Sequence, residues 1–462
     1  MAVLPLELMT MIADHVHGEK KAKETLIVCS LVDTHWHVAF KSYVFHSILL
    51  QMKTDTFSPS IDFFQANPRL ALLVRNLYLY RNDDWDGDSE LIMQSHIFLH
   101  LLDVLPAVDV WRFSKIIFEE PPPAINYCAP FVRRPIRKLQ LFSPYVCEAG
   151  SASSMGSLED PPEENIEAIH YILDLLRPFS VIGQLTFNNI FFGPKNPFDL
   201  TGFVLQHELA IYTLEFHNCK RTNNFIDILQ NTETSQVLGS VTYTLPRNRA
   251  GALSSLTTLL SSAISSFKFL RLTCPFRSHS DLPSRSPESI SESLANISLR
   301  FLTHLDIVMP PIWLGARHSH APMLYNVAWL YFERLLEIFP TTSIARIDMS
   351  FTVIRWNNTH SSSLSSESED HPSIITGILR QAQWGKIHER VNEMSNLTEI
   401  QVDVQFDLVS GIKSDEIEME LAGIKEAFME KFAPMRSKDV VVDISVVVKH
   451  HRPQSITGFD EE

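Results

Sequence analysis

Apolar residues recur at i, i+3 and i+5 down this chain from residue 70 onward, often after a stretch with helical patterning. The triplets are Val74/Leu77/Leu79, Phe113/Ile116/Phe118, Ile136/Leu139/Leu141, Ile182/Leu185/Phe187, Ile211/Leu214/Phe216, Leu238/Val241/Tyr243, Phe267/Leu270/Leu272, Leu302/Leu305/Ile307, Ile344/Ile347/Met349 and Leu397/Ile400/Val402. Alternation across the last two positions is that of a strand with one buried face. Several triplets follow a helix-like segment and a short turn: Leu324 to Phe339 before Pro340-Thr341-Thr342, Ile166 to Leu176 before Arg177-Pro178, and Ile374 to Val391 before Asn396. A helix–turn–strand unit repeated in one direction gives a parallel sheet with helices outside, because parallel strands need crossover connections. The fold class expected is therefore mixed α/β, an irregular α/β solenoid over 60–450 with a mainly parallel sheet. An ordinary α/β domain with a mixed sheet is the alternative. The run Val440 to Val448 reads as a buried closing strand, preceded by a helix around Glu416 to Phe432.

The first 45 residues follow a different pattern. Leu4-Pro5-Leu6-Glu7 opens a helix, since the missing N–H of Pro5 is harmless at the first position and Glu7 faces the positive end of the dipole. Leu8, Ile12 and Val16 then stack on one face, with Met9 beside them. A polar break from His17 to Glu24 leads to a second apolar cluster, Leu26, Ile27, Val28, Cys29, Leu31 and Val32. Asp33 is placed as an N-cap for a third helix in which Trp36, Phe40 and Val44 repeat every four residues. Three short helices carry more apolar surface than 45 residues can hide, so some of it is expected to dock on a partner or on the rest of the chain.

Leu4, Pro5, Glu7, Ile12, Leu26, Val32 and Trp36, in that order and spacing, resemble the F-box. Asp33-Thr34 stand where the family often has Ser-Arg, and the polar break is longer than usual. The resemblance implies a helical module over 1–48 that binds a Skp-family adaptor, and through it cullin and RING subunits, with Leu4, Pro5, Leu8, Met9, Ile12, Leu26, Val32 and Trp36 as adaptor-binding residues. It implies a substrate-recognition subunit of a ubiquitin ligase complex, acting in the cytoplasm or nucleus on a protein target. Behind such a module the triplets resemble a degenerate leucine-rich-repeat array. Their spacing of 23 to 53 residues drifts around the length of such repeats and then exceeds it, and Asn218 after Phe216 is a candidate remnant of the stacking Asn. Two other readings stay open: an adaptor-binding scaffold outside ubiquitin transfer, and an α/β enzyme with a fortuitous match.

Composition narrows the classes. A chain of 462 residues, 45% hydrophobic and 20% charged, is expected to be globular. The early residues lack the basic and long apolar runs of a secretory signal, and no 18-residue apolar run suggests a membrane partner or span. A net charge of −15 disfavours nucleic acid. Five scattered cysteines without a C-x-x-C pair read as reduced, buried thiols. Glu148 to Glu164, Ser278 to Ser293 and Asn357 to Pro372 are Ser-, Pro- and acid-rich and read as loops near 148–164, 278–293 and 357–372, with Ser366 a candidate phosphorylation site. Nucleotide-binding, hydrolase and zinc-protease motifs are missing from the sequence, and His15/His17 and His35/His37 point to different helix faces. The expectation is no catalytic residue, no metal and no cofactor. On the sheet, Tyr78, Tyr80, Arg271, Asp306 and Asp348 lie between buried positions and are expected to face outward.

Overall fold

The computed structural model describes residues 4–17, 22–52, 57–81, 92–114, 116–119, 133–142, 145–147, 168–190, 192, 208–244, 250–263, 265–273, 301–309, 312–314, 329, 332–333, 336–337, 342–356, 379–380, 382–409, 414–432, 434–435 and 440–451. The three Ser-, Pro- and acid-rich segments, Ser366 included, lie outside these residues. The chain divides into two compact units, Met1–Thr232 and Glu233–Glu462, and both are mixed α/β with parallel sheets.

The first unit opens with helices α1 (Leu6–His17), α2 (Ala22–Ser30) and α3 (Thr34–His46), so the module expected over 1–48 falls inside this unit. Strand β1 (Ser47–Met52) follows α3 directly. Then come α4 (Ser58–Ala66), α5 (Pro68–Ala71), β2 (Asn76–Arg81), β3 (Ile92–Gln94), α6 (Ser95–Val104), β4 (Val110–Ser114), β5 (Ile117–Glu119) and β6 (Arg134–Phe142). The unit ends with β7 (Tyr145–Cys147), α7 (Ala168–Leu176), β8 (Phe179–Asn188), β9 (Ala210–His217) and α8 (Thr222–Leu229). Its main sheet runs β1-β2-β4-β6-β8-β9 with each neighbouring pair parallel, while β3, β5 and β7 form a small parallel sheet of their own.

The second unit contains α9 (Thr234–Val237), β10 (Ser240–Thr244), α10 (Ala250–Ser262), β11 (Phe269–Thr273), β12 (His304–Val308), β13 (Ile312–Leu314), β14 (Arg346–Trp356), α11 (Trp384–Glu393), β15 (Glu399–Val409), α12 (Ser414–Phe432) and β16 (Val441–His451). Its sheet runs β10-β11-β12-β14-β15-β16, again parallel, with β13 paired to β14.

The apolar triplets fix the register within each unit. Leu77, Trp111, Leu139, Leu185 and Leu214 are lateral neighbours in the first sheet, and Val241, Leu270, Leu305, Ile347, Ile400 and Val442 in the second. All but Val442 are at most 2% exposed. The expected triplet Phe113/Ile116/Phe118 is out of phase. The buried set on and just before β4 is Val108/Trp111/Phe113, and Ile116 and Phe118 belong to the chain entering the smaller sheet. Trp111 fills the position that leucine takes elsewhere, and the size of its ring is accommodated by Phe98 from α6, edge-on at 5.5 Å.

Backbone hydrogen bonds form a staircase ahead of the strands. Arg75 N–H donates to His46 O, Asp109 N–H to Arg75 O and Arg137 N–H to Asp109 O, each at 2.9 Å. In the second unit Lys268 donates to Gly239, Thr303 to Lys268, Ala345 to Thr303, Thr398 to Ala345 and Val441 to Thr398, all at 2.9 or 3.0 Å. Each step keys one strand to its predecessor through main chain, and the Thr303 and Thr398 hydroxyls reinforce two of the steps by donating to the same carbonyls.

Helices cover the leucine face. Ile169, Ile172, Leu173 and Leu176 of α7 are buried at helical spacing, as are Leu256, Leu259, Leu260 and Ala263 on and just after α10, and Ile424, Phe428 and Phe432 of α12. The other face is polar in the second unit's sheet and mixed in the first, and much of it is half-exposed among the described residues, whereas parallel sheets are ordinarily covered on both sides. This overturns the reading of Val440 to Val448 as continuously buried. Val440, Val442 and Ile444 are buried, while Val441 and Val447 are more than half exposed, because β16 ends its sheet and, among the described residues, helices pack on one of its sides.

One backbone approach is close enough to exclude any side chain. A Cβ added at Gly183 of β8 would lie 2.6 Å from the carbonyl oxygen of Arg137 on β6. Gly183→Ala is expected to cost about 1–3 kcal/mol through forced separation of the two strands. Denaturant unfolding measures this, and an unchanged midpoint would mean that β6 yields freely.

Candidate functional site

The site begins with a helix that has two apolar sides. One side of α1, Met9, Ala13 and Val16, packs with Leu26, Cys29, Trp36, Ala39, Phe40, Tyr43 and Val44 into a closed core. The other side, Leu4, Leu8 and Ile12, stays in solvent, with Leu8 at 45% exposure and Met11 beside it at 66%. The expected single stripe Leu8/Ile12/Val16 is thus corrected: Val16 turns inward and the other two turn out. Pro5 precedes the first helical residue, exposed, and its carbonyl accepts from the N–H groups of Leu8 and Met9 at 3.1 and 3.2 Å.

Helix α2 and the turn after it repeat this division. Leu26 is 1% exposed, whereas Ile27, Val28, Leu31 and Val32 are uncovered, Leu31 at 77% and Val32 at 64%. Asp33 caps α3 as expected, its Oδ1 accepting from the N–H groups of His35 at 2.7 Å and Trp36 at 3.0 Å. Trp36 is half-buried, tilted against Phe40 at a ring distance of 5.1 Å.

Of the eight residues expected to bind the adaptor, Leu4, Pro5, Leu8, Ile12 and Val32 are therefore presented outward. Met9 and Leu26 are corrected to core positions, because each sits inside the contact between helices, and Trp36 bridges core and surface. Met11, Ile27, Val28, Leu31 and Val38 are further exposed apolar residues of the three helices. The spacing Leu4/Leu8/Ile12 against Met9/Ala13/Val16 carries the signal for two faces.

The helices are fixed in place, so this exposure is not slack. Tyr43 Oη of α3 donates to Asp14 Oδ1 of α1 at 2.6 Å; burial first, and then this bond, push the phenol up to about 12. Lys23 Nζ donates to Ser47 O at 3.0 Å, and Asn76 Nδ2 to Ser47 Oγ at 2.8 Å, which ties the module to the first two strands.

A second surface with chemistry is the polar face of the second unit's sheet. Three rows cross it: Ser240-Phe269-His304-Arg346-Glu399-Val441, Thr242-Arg271-Asp306-Asp348-Gln401-Asp443, and Thr244-Thr273-Val308-Ser350-Asp403-Ser445. Asp348 accepts from Arg346 Nε at 2.7 Å and faces His304 Nε2 at 2.7 Å; burial opposes the charge, but these two partners hold its carboxyl below the usual range. Arg346 also reaches Glu399 at 3.1 Å and hydrogen-bonds Gln401. Asp306, expected to face outward, is instead only 6% exposed. Burial raises its pKa, with Arg271 acting against that and Asp348 adding to it.

In the first unit the corresponding face is mixed. Arg112 lies over the Phe142 ring at 4.3 Å, Tyr78 and Tyr80 are half-exposed, and Thr186 Oγ1 donates to Glu215 Oε2 at 2.9 Å. Among the described residues no His, Cys, Asp and Glu grouping suits a metal ion, and no helix is long and apolar enough to cross a membrane. Cys219 is a half-buried thiol whose pKa is pushed up to about 12 by the loss of solvent around it, and Cys29 is half-buried in the helical core. No family model matches the chain, and no curated protein matches it.

Proposed function

We propose that the chain is a non-catalytic substrate receptor of a Skp-cullin-F-box type ubiquitin ligase. Helices α1 to α3 form the F-box-like module, and the parallel α/β body behind it is a leucine-rich-repeat-like array that holds the target. The observation that carries this reading is the uncovered apolar set on a module whose own core is already closed. Leu4, Leu8, Met11, Ile12, Ile27, Val28, Leu31 and Val32 are exposed although Met9, Ala13, Leu26 and Phe40 fill the interior beside them. Apolar surface of this kind on a rigid helical scaffold suits helix-in-groove docking. The F-box-like order of Leu4, Pro5, Glu7, Ile12, Leu26, Val32 and Trp36 names the adaptor as the occupant.

The body supports the second half of the reading. Buried positions repeat strand after strand in one register, helices lie on the leucine face, and the opposite face is left polar for a partner. Through the adaptor the receptor joins cullin and RING subunits, in the cytoplasm or nucleus. Its contribution to the reaction is effective concentration: a target lysine held near the ubiquitin thioester needs no acid or base from this chain.

Co-elution of the full chain with a purified Skp-family adaptor on size exclusion is the direct test. A stoichiometric complex is expected. Separate elution at micromolar concentrations overturns the receptor reading and returns the three helices to a purely structural role.

A further inference from the structure

We propose that the polar face of the second unit's sheet docks an arginine- or lysine-rich segment of a partner protein, seated over Asp306, Asp348 and Asp403. The identification of that partner as the ubiquitination target rests on the receptor reading; the docking chemistry does not.

Charge on this face is out of balance. Its three rows carry five carboxylates, Asp306, Asp348, Glu399, Asp403 and Asp443, against two guanidinium groups, Arg271 and Arg346, and His304. Arg346 is already committed to Asp348, Glu399 and Gln401. Asp403 accepts from neutral donors, Gln401 Nε2 at 3.0 and 3.1 Å and Ser445 Oγ at 2.6 Å. The chain's net charge of −15 adds a long-range attraction for a cationic segment.

Asp306 supplies an independent observation. Its side chain is 9% exposed, its Oδ2 meets Arg271 Nε at a loose 3.4 Å, and its Oδ1 is buried with no hydrogen-bond partner among the described residues. A carboxylate oxygen withdrawn from water without a donor is unfavourable, and such an orphan calls for a donor from elsewhere. Arg271 is 42% exposed and, among the described residues, pairs with Asp306 through that long contact, so an incoming guanidinium or ammonium can enter beside it and reach the carboxylate. A metal ion is a poorer occupant, because no metal-ligating group of three forms among the described residues. The excess of carboxylates opposes phosphate and nucleic acid.

The test uses the full chain and a fluorescein-labelled nona-arginine peptide, with nona-glutamate as the counter-probe, read by fluorescence anisotropy at low and at physiological salt. Nona-arginine is expected to bind and nona-glutamate not to. Asp306→Asn with Asp403→Asn should weaken nona-arginine at least tenfold, while Glu389→Gln with Glu426→Gln, which removes the same charge from α11 and α12, should change it less than twofold. Arg271→Ala should move affinity the other way, tightening it threefold or more, and it keeps the proposal open to refutation if the double Asn variant fails to fold. No binding of nona-arginine, equal weakening by both acidic pairs, or no tightening by Arg271→Ala overturns the proposal. Adaptor co-elution, run on the same preparation, reports on the receptor reading separately.

Discussion

Leu8→Asp combined with Ile12→Asp is expected to abolish adaptor capture while leaving the fold intact. Both side chains lie on the uncovered side of α1, at 45% and 37% exposure. Burying a large aliphatic side chain contributes about 1.5–3 kcal/mol, so losing two such anchors removes roughly 3–6 kcal/mol, a factor of about 10²–10⁴ in affinity. Two carboxylates forced into an apolar groove add a further penalty. The folded chain tolerates them because neither residue contributes to the core made by Met9, Ala13 and Leu26. Calorimetric titration with the adaptor and a thermal melt are run in parallel. Undiminished affinity would place the docking surface elsewhere, and a large drop in melting temperature would mean that the exposed side of α1 is covered by the protein itself.

Phe187→Ala should have the largest effect on stability. The ring is fully buried in the first unit and touches three others: it stacks on Phe216 at 5.5 Å and meets Phe192 and Phe225 edge-on at 5.1 and 5.0 Å. Removing it leaves a cavity that the rigid sheet cannot close, at a cost of about 3–5 kcal/mol. Phe63→Ala, where the ring is 46% exposed, is expected to stay within about 0.5 kcal/mol. Denaturant unfolding of both variants makes the comparison, and similar midpoints would contradict the packing described for the four phenylalanines.

Nine of the ten apolar triplets were legible because one face of each strand admits only buried apolar residues, and three points suffice to set its phase. The tenth misled because Trp111 stands at the leucine position, and Ile116 and Phe118 happened to satisfy the same spacing five residues further on. On α1 the four-residue spacing joins Leu8 and Ile12 to Val16 in one stripe, although Val16 lies against the core and the other two in solvent. Met9 and Leu26 stand among the expected adaptor-binding residues because a resemblance fixes which residues matter without saying on which side of the helix each lies. The Asp33 cap was readable, being decided by residues two and three positions away. The ion pairs of the polar face were not, since His304 and Asp348 meet across 44 residues of sequence and only the lateral register aligns them.

The main-chain staircase bears on how a chain of this kind tolerates change. Strands β2, β4 and β6 in the first unit, and β11, β12, β14, β15 and β16 in the second, are each located by a hydrogen bond from a backbone N–H to the carbonyl at the foot of the strand before, so their alignment depends on neither the length nor the identity of the residues in between. Crossovers are free to lengthen or shorten, and side chains on the polar face are free to be exchanged, without disturbing the next step, as expected where stability is a sum over nearest neighbours. Such a body can diverge in its binding face and its connecting segments while the alignment of its core persists, which makes it a scaffold on which new specificities arise by small, independent changes.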